Sequence, residues 1–130
     1  MELINVIVAA VAAYAFGAFW YMSLAKKWVV ASGVACDANG KPLNPSKAPF
    51  VISAIAMLVV AGMMRHMFGM AAIDTLGKGL VSGFGLGAFI ALPWIVTNYA
   101  YADRPKDLTW IDGGFAVIGC TIIGTVLSLF

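Results

Sequence analysis

Six side chains stand out as the chemistry-bearing candidates of this chain: Asn5, Arg65, His66, Asn98, Arg104 and Asp112. Polar and ionisable groups are costly inside an apolar segment, so each is a functional candidate by default. Asn5 lies one turn into a first apolar run and Asn98 near the end of a third. An amide there can hydrogen-bond to a neighbouring helix, for about 1 kcal/mol. Arg65 and His66 close a second run. Snorkelling to the headgroups accounts for Arg65. His66 is the single histidine and no partner motif surrounds it, so a metal or haem site is not expected. The turn Asp103-Arg104-Pro105-Lys106-Asp107 leads into Trp110-Ile111-Asp112-Gly113-Gly114. Asp107 or Thr109 is expected to cap a fourth helix, with Asp112 in its first turn, where a carboxylate complements the helix dipole. Arg104 is expected to pair with Asp112 or Asp107. Ser23, Ser53, Ser82 and Ser128 are dispersed with no histidine or carboxylate nearby. No nucleophile–base–acid set emerges, and the chain reads as non-enzymatic, without cofactor or metal.

The elements that must position these groups follow from composition. The chain has 130 residues, of which 62% are hydrophobic and 11% charged, roughly half the charged fraction of a soluble domain. A helix needs roughly 20 apolar residues to cross a bilayer. Four runs meet that length, at about 3–24, 50–68, 79–101 and 110–130. The expected fold is all-α: a single integral membrane domain over residues 1–130, an antiparallel four-transmembrane-helix bundle with one longer polar loop after helix 1. The small residues at 10–13 do not make the first run a cleaved signal peptide, because it lacks a basic n-region and is too long.

In the first loop, Asp37-Ala38-Asn39-Gly40 and Lys41-Pro42-Leu43-Asn44-Pro45 are turn chemistry. The opening Asp-x-Asn-Gly is similar to a calcium loop, but the later ligands and closing glutamate are missing. Residues 28–35 are expected to lie flat at the interface as a short helix. Pro49 suits a first helical turn, and Pro93 is expected to kink the third helix near 91–94. Met57, Met63, Met64, Met67 and Met70 crowd the second helix, where gap-filling is their ordinary role. Cys36 in the loop and Cys120 mid-span are expected at different depths, without a disulfide.

Trp20, Tyr21, Lys26, Lys27 and Trp28 mark an interface at the end of the first span. Lys26, Lys27, Lys41, Lys47, Arg104 and Lys106 fall on one side and Arg65 and Lys78 on the other. The positive-inside rule then puts loops 1 and 3 in the cytoplasm and both termini outside. Small residues recur every four positions: Ala9, Ala13 and Gly17; Gly79, Gly83 and Gly87; Ala116, Cys120, Gly124 and Ser128. Such flat faces let helices approach closely, within the bundle or against another subunit, the intramolecular option being the leading one. Gly77 to Gly87 lacks the spacing of a phosphate loop and follows no strand. The net charge of +2 is scattered, which excludes a nucleic-acid footprint. The expected partners are membrane lipids and other membrane subunits or a second copy of the chain.

Asn5, Gly17-Ala18-Phe19-Trp20-Tyr21 and Lys27-Trp28, followed by Pro93, Asn98, Arg104-Pro105 with Leu108, and Ile111-Asp112-Gly113-Gly114, resemble an uncharacterised bacterial membrane family, domain of unknown function 1761. The resemblance covers most of the chain, and the Gly-x-x-Trp-Tyr element is its most specific part. It implies a small four-span inner-membrane protein and no reaction, so no catalytic residue is carried over. Three readings of function follow. The leading one is an accessory or structural subunit, or a homo-oligomer. The second is a small dimeric transporter or channel, similar in size to multidrug exporters, with Asp112 or His66 as coupling residues. The third is a lipid- or haem-binding protein built around His66, Arg65 and the methionines.

Overall fold

A computed structural model describes residues 2–43 and 46–130. The turn residues Asn44 and Pro45 lie outside the described residues. The described chain is helical: α1 Glu2–Ser23, α2 Ala25–Ser32, α3 Ala48–Met70, α4 Leu76–Leu86, a π-helical turn Gly87–Ala91, α5 Leu92–Tyr101 and α6 Lys106–Leu127. Four helical stretches are long and apolar enough to cross a membrane: α1, α3, the continuous stretch Leu76–Tyr101, and α6. Helices satisfy their own backbone hydrogen bonds, which is what a hydrocarbon solvent demands.

The third and fourth helices begin three or four residues earlier than hydropathy indicates. Thr75, with extended backbone, accepts a hydrogen bond from Lys78 N at 3.3 Å and caps α4. Pro105 stands at the N-cap of α6, so its fixed φ starts the helix and neither Asp107 nor Thr109 caps it. Asp112 therefore lies in the second turn, not the first. The interfacial helix is also shifted, to Ala25–Ser32, and stops where Gly33 adopts the left-handed conformation at φ 71°. Beyond it, Asp37 Oδ1 accepts from Asn39 N at 2.9 Å and Lys41 N at 3.0 Å, closing a tight turn, and Cys36 and Pro42 pair across it. The wide turn of the third span lies just before Pro93, where Leu92 N–H reaches back to Gly87 O. A π turn of this kind relieves the clash between the proline ring and the preceding turn.

α6 is the hub. α1 packs along one side of it and α4 along the other, while α3 leans on α1 and touches α6 only lightly. The third span and α3 do not pack along each other. Over an apolar 18-residue stretch of α6, 33% of residues are buried, against 11% in the corresponding stretch of α3. The core joins Ala9, Ala10 and Ala13 of α1 to Ala61, Met64 and Phe68 of α3 and Ile123 and Leu127 of α6. Many other apolar side chains, Phe89 and Trp94 among them, face outward, as the lipid-facing surface of such a bundle requires.

The small-residue faces are spent inside the chain. A Cβ on Gly79 would lie 2.5 Å from Gly124 O, and one on Gly87 2.7 Å from Val117 Cα. One on Gly83 would collide with the Cys120 carbonyl and sit 3.1 Å from Thr121 Cα. Gly79, Gly83, Gly87 and Gly124 thus form one seam in which α4 and the π turn lie backbone to backbone on α6. Ala9 and Ala13 are buried against α3, and Gly17 makes room for the Phe115 ring, whose Cε2 would lie 2.8 Å from an added Cβ.

Candidate functional site

The two most distinctive sequence elements meet. Gly17-Ala18-Phe19-Trp20-Tyr21, at the end of α1, docks onto Ile111-Asp112-Gly113-Gly114 in the second turn of α6. Trp20 Nε1–H donates to Ile111 O at 2.8 Å. Its ring occupies the space that a side chain on Gly114 would take, 2.8 Å from such a Cβ. Gly113 gives the same room to Leu92. Tyr21 Oη donates to Asp112 Oδ1 at 2.6 Å, and Tyr99 Oη, from α5, donates to Asp112 Oδ2. One carboxylate therefore ties three helices together, about 9 Å along α6 from its first residue.

Asp112 stands at one end of a groove of about 500 Å³. The groove exists because α3 and α5 flank α6 without closing over it. Met57 and Val60 form one wall, Ala91 and Ile95 the other, and Phe115, Gly119, Cys120 and Ile123 the floor. Trp28 of α2 lines the polar end, edge-on to Tyr21 at 6.4 Å, and Tyr21 is edge-on to Phe115 at 5.5 Å. α2 is held over this end by Arg104, whose Nη2 donates to Ser32 O at 2.5 Å, on the last residue of the helix. The site is thus an apolar slot with one hydrogen-bonded carboxylate and a ring-lined mouth.

The other candidates lie apart from it. Arg104 pairs with neither Asp112 nor Asp107, because both Asp112 oxygens are engaged by tyrosines and the Ser32 carbonyl is within its reach. Arg65 does more than snorkel: its Nη2 lies 3.3 Å from Glu2 Oε1, joining α3 to the start of α1 at the opposite end of the bundle. His66 is exposed beside them, along a shallow recess with Glu2 and Met70. Asn5 is buried, yet its side chain makes no hydrogen bond among the described residues; Asn98 faces out of the bundle. Neither forms an interhelical hydrogen bond among the described residues. Of the methionines, Met64 fills the core and Met57 lines the groove, while Met63 and Met70 face outward.

Tyr21, Trp28 and Tyr99 are the residues of this candidate site that sequence reasoning missed. Tyr21 and Trp28 read as interface anchors, which their position also makes them. A signal for Tyr21 existed in its place inside the Gly-x-x-Trp-Tyr element; for Tyr99 there was none, since an aromatic one residue after Asn98 is unremarkable at a span end. A family model described as "Protein of unknown function (DUF1761)" matches residues 4–128. No curated protein and no solved structure matches the chain.

Proposed function

Because the chain belongs to the DUF1761 family, whose function is unknown, its role must be argued from its own geometry, and we propose a non-catalytic membrane protein that binds a small amphiphile in the groove over α6. One observation carries this reading: the slot of about 500 Å³ is apolar along its length and ends in Asp112, Tyr21 and Tyr99. Small-molecule sites have this size and this mixture of an apolar body with a few convergent polar groups. The groove opens sideways, between α3 and α5, so a molecule dissolved in the bilayer can enter without crossing water. The transporter reading shares this binding step. The accessory-subunit and homo-oligomer readings drew on the small-residue stripes together with the aromatic belts and the lack of a catalytic set; the glycine stripe pairs within the chain, which was the leading expectation for it, and lends those readings no support. The lysine and arginine balance supports an orientation with loops 1 and 3, and hence the Asp112 end, in the cytoplasm.

Native mass spectrometry of the protein released from lipid nanodiscs tests the reading. One retained amphiphile per chain is expected, lost when Ile95→Trp narrows the groove wall. Equal retention by the two proteins, or none by either, would overturn it.

A further inference from the structure

We propose that the occupant of this groove is a lipophilic cation: an amine- or quaternary-ammonium-bearing molecule, its charged head at Asp112 and its apolar body along α6 toward Ile123. The inference rests on the groove being a binding site, as argued above, and adds the sign of the ligand's charge. Asp112 is the one carboxylate lining the groove, and no described lysine, arginine or histidine lines it. A carboxylate has about four acceptor positions, and the two tyrosine hydroxyls fill two of them. No described side chain forms an ion pair with it. Arg104 lies near enough for its charge to act on Tyr99, but its hydrogen bond goes to Ser32 O, and the ion pairs among the described residues are Glu2–Arg65 and Asp74–Lys78, both at the other end. Lys26 and Lys27 line a separate recess beside Trp20 and Trp110.

A neutral hydrocarbon in the slot would bury the carboxylate's remaining acceptors without a partner, which is the costly outcome for a polar group. An anion would be repelled. A cation balances the carboxylate's charge, an amine also donating to its free acceptor positions, and it meets the rings of Tyr21, Trp28 and Phe115, whose faces and edges crowd the same end. Carboxylate and aromatic rings together are the combination that holds organic ammonium groups in water-poor sites.

The test uses three probes of similar shape: tetraphenylphosphonium, tetraphenylborate and neutral triphenylmethane. Equilibrium dialysis measures binding to the full chain in zwitterionic nanodiscs in excess of empty discs, compared at equal membrane-bound concentration. Tetraphenylphosphonium is expected to bind one per chain, at least tenfold more tightly than the other two, with the excess lost in Ile95→Trp and reduced at least tenfold in Asp112→Asn. Binding that Ile95→Trp abolishes but that is equal for all three probes, or strongest for tetraphenylborate, would overturn the cation inference and leave the groove reading standing. No excess binding by any probe would overturn both. The three-probe comparison needs only the unaltered protein, so it decides the matter even where Asp112→Asn fails to fold.

Discussion

Replacing Gly83 by alanine examines the packing that creates the groove, since the seam between α4 and α6 fixes where α5 stands. An added Cβ collides with the carbonyl oxygen of Cys120, 3.1 Å from Thr121 Cα and 3.2 Å from Cys120 C. These are all backbone atoms, so no rotamer change relieves the overlap and the two helices must separate. Over-packing of this kind costs about 1–3 kcal/mol. Separation also weakens the neighbouring contacts, because Gly124 lies on Gly83 itself, with an added Cβ there 2.9 Å from Gly83 Cα. Gly85, two residues on in the same helix, is the matched control: a Cβ there meets nothing within 4 Å. Alanine at that position gains about 0.5–1 kcal/mol, from its better helix propensity. The two substitutions, chemically identical and 3 Å apart along the axis by helix rise, share that propensity gain and should therefore differ by the over-packing cost alone, about 1–3 kcal/mol. Unfolding in mixed micelles of rising denaturing-detergent content, followed by tryptophan fluorescence, reads the difference. Equal stability of the two variants, or a Gly83→Ala protein more stable than the parent, would refute a backbone-to-backbone seam at this position.

Three further outcomes follow from named contacts. Tyr99→Phe or Tyr21→Phe removes one of the two hydrogen-bond donors to Asp112, and each is expected to lower stability by about 1–3 kcal/mol in the same assay, with a non-additive double variant, since both act on Asp112. Arg104→Gln should release the end of α2 from loop 3, seen as faster amide exchange across residues 29–33, while exchange along the α4–α6 seam stays unchanged; protection retained at 29–33 would show that Arg104 does not hold the helix. At the other end, the Lys78 hydrogen bond and then its charge hold the Asp74 carboxyl below its ordinary 3.8. A carboxyl lowered on folding stabilises the folded form above the unfolded value, so this small, salt-screened contribution should be present above about pH 4 and fade as the pH falls below it. Amide exchange in the first turn of α4 reports it, and Lys78→Gln should remove the pH dependence.

How far the site was legible depends on which contacts are local. Hydropathy located the spans because burial in lipid is a property of runs of residues, and it misplaced the starts of the third and fourth helices because a cap is a single-residue event: Thr75 and Pro105 begin helices within polar segments that hydropathy assigns to loops. The glycine stripes were legible as close-packing faces, because a four-residue period puts Gly79, Gly83 and Gly87 on one side of a helix. Their partner was not, since a flat face fits another subunit as well as it fits Gly124. Arg104 shows the limit for charges: sequence proximity favours Asp107 or Asp112, whereas the tertiary fold brings it to a backbone carbonyl 72 residues away.

The sequence by itself determined the class of this protein: four apolar helices, the family of its Gly-x-x-Trp-Tyr and Ile-Asp-Gly-Gly elements, and the polar loop between the first two spans. Each of these is written in composition, in period or in adjacent residues. Only the tertiary structure decided that these two elements meet, that Tyr21 and Tyr99 converge on Asp112 from helices 91 and 13 residues away, and that α3 and α5 stand apart to leave a slot over α6. The physical reason is that lipid rewards every apolar face about equally, so hydropathy cannot say which helices touch. The choice rests on backbone approach at a few glycines and on hydrogen bonds between residues far apart in the chain.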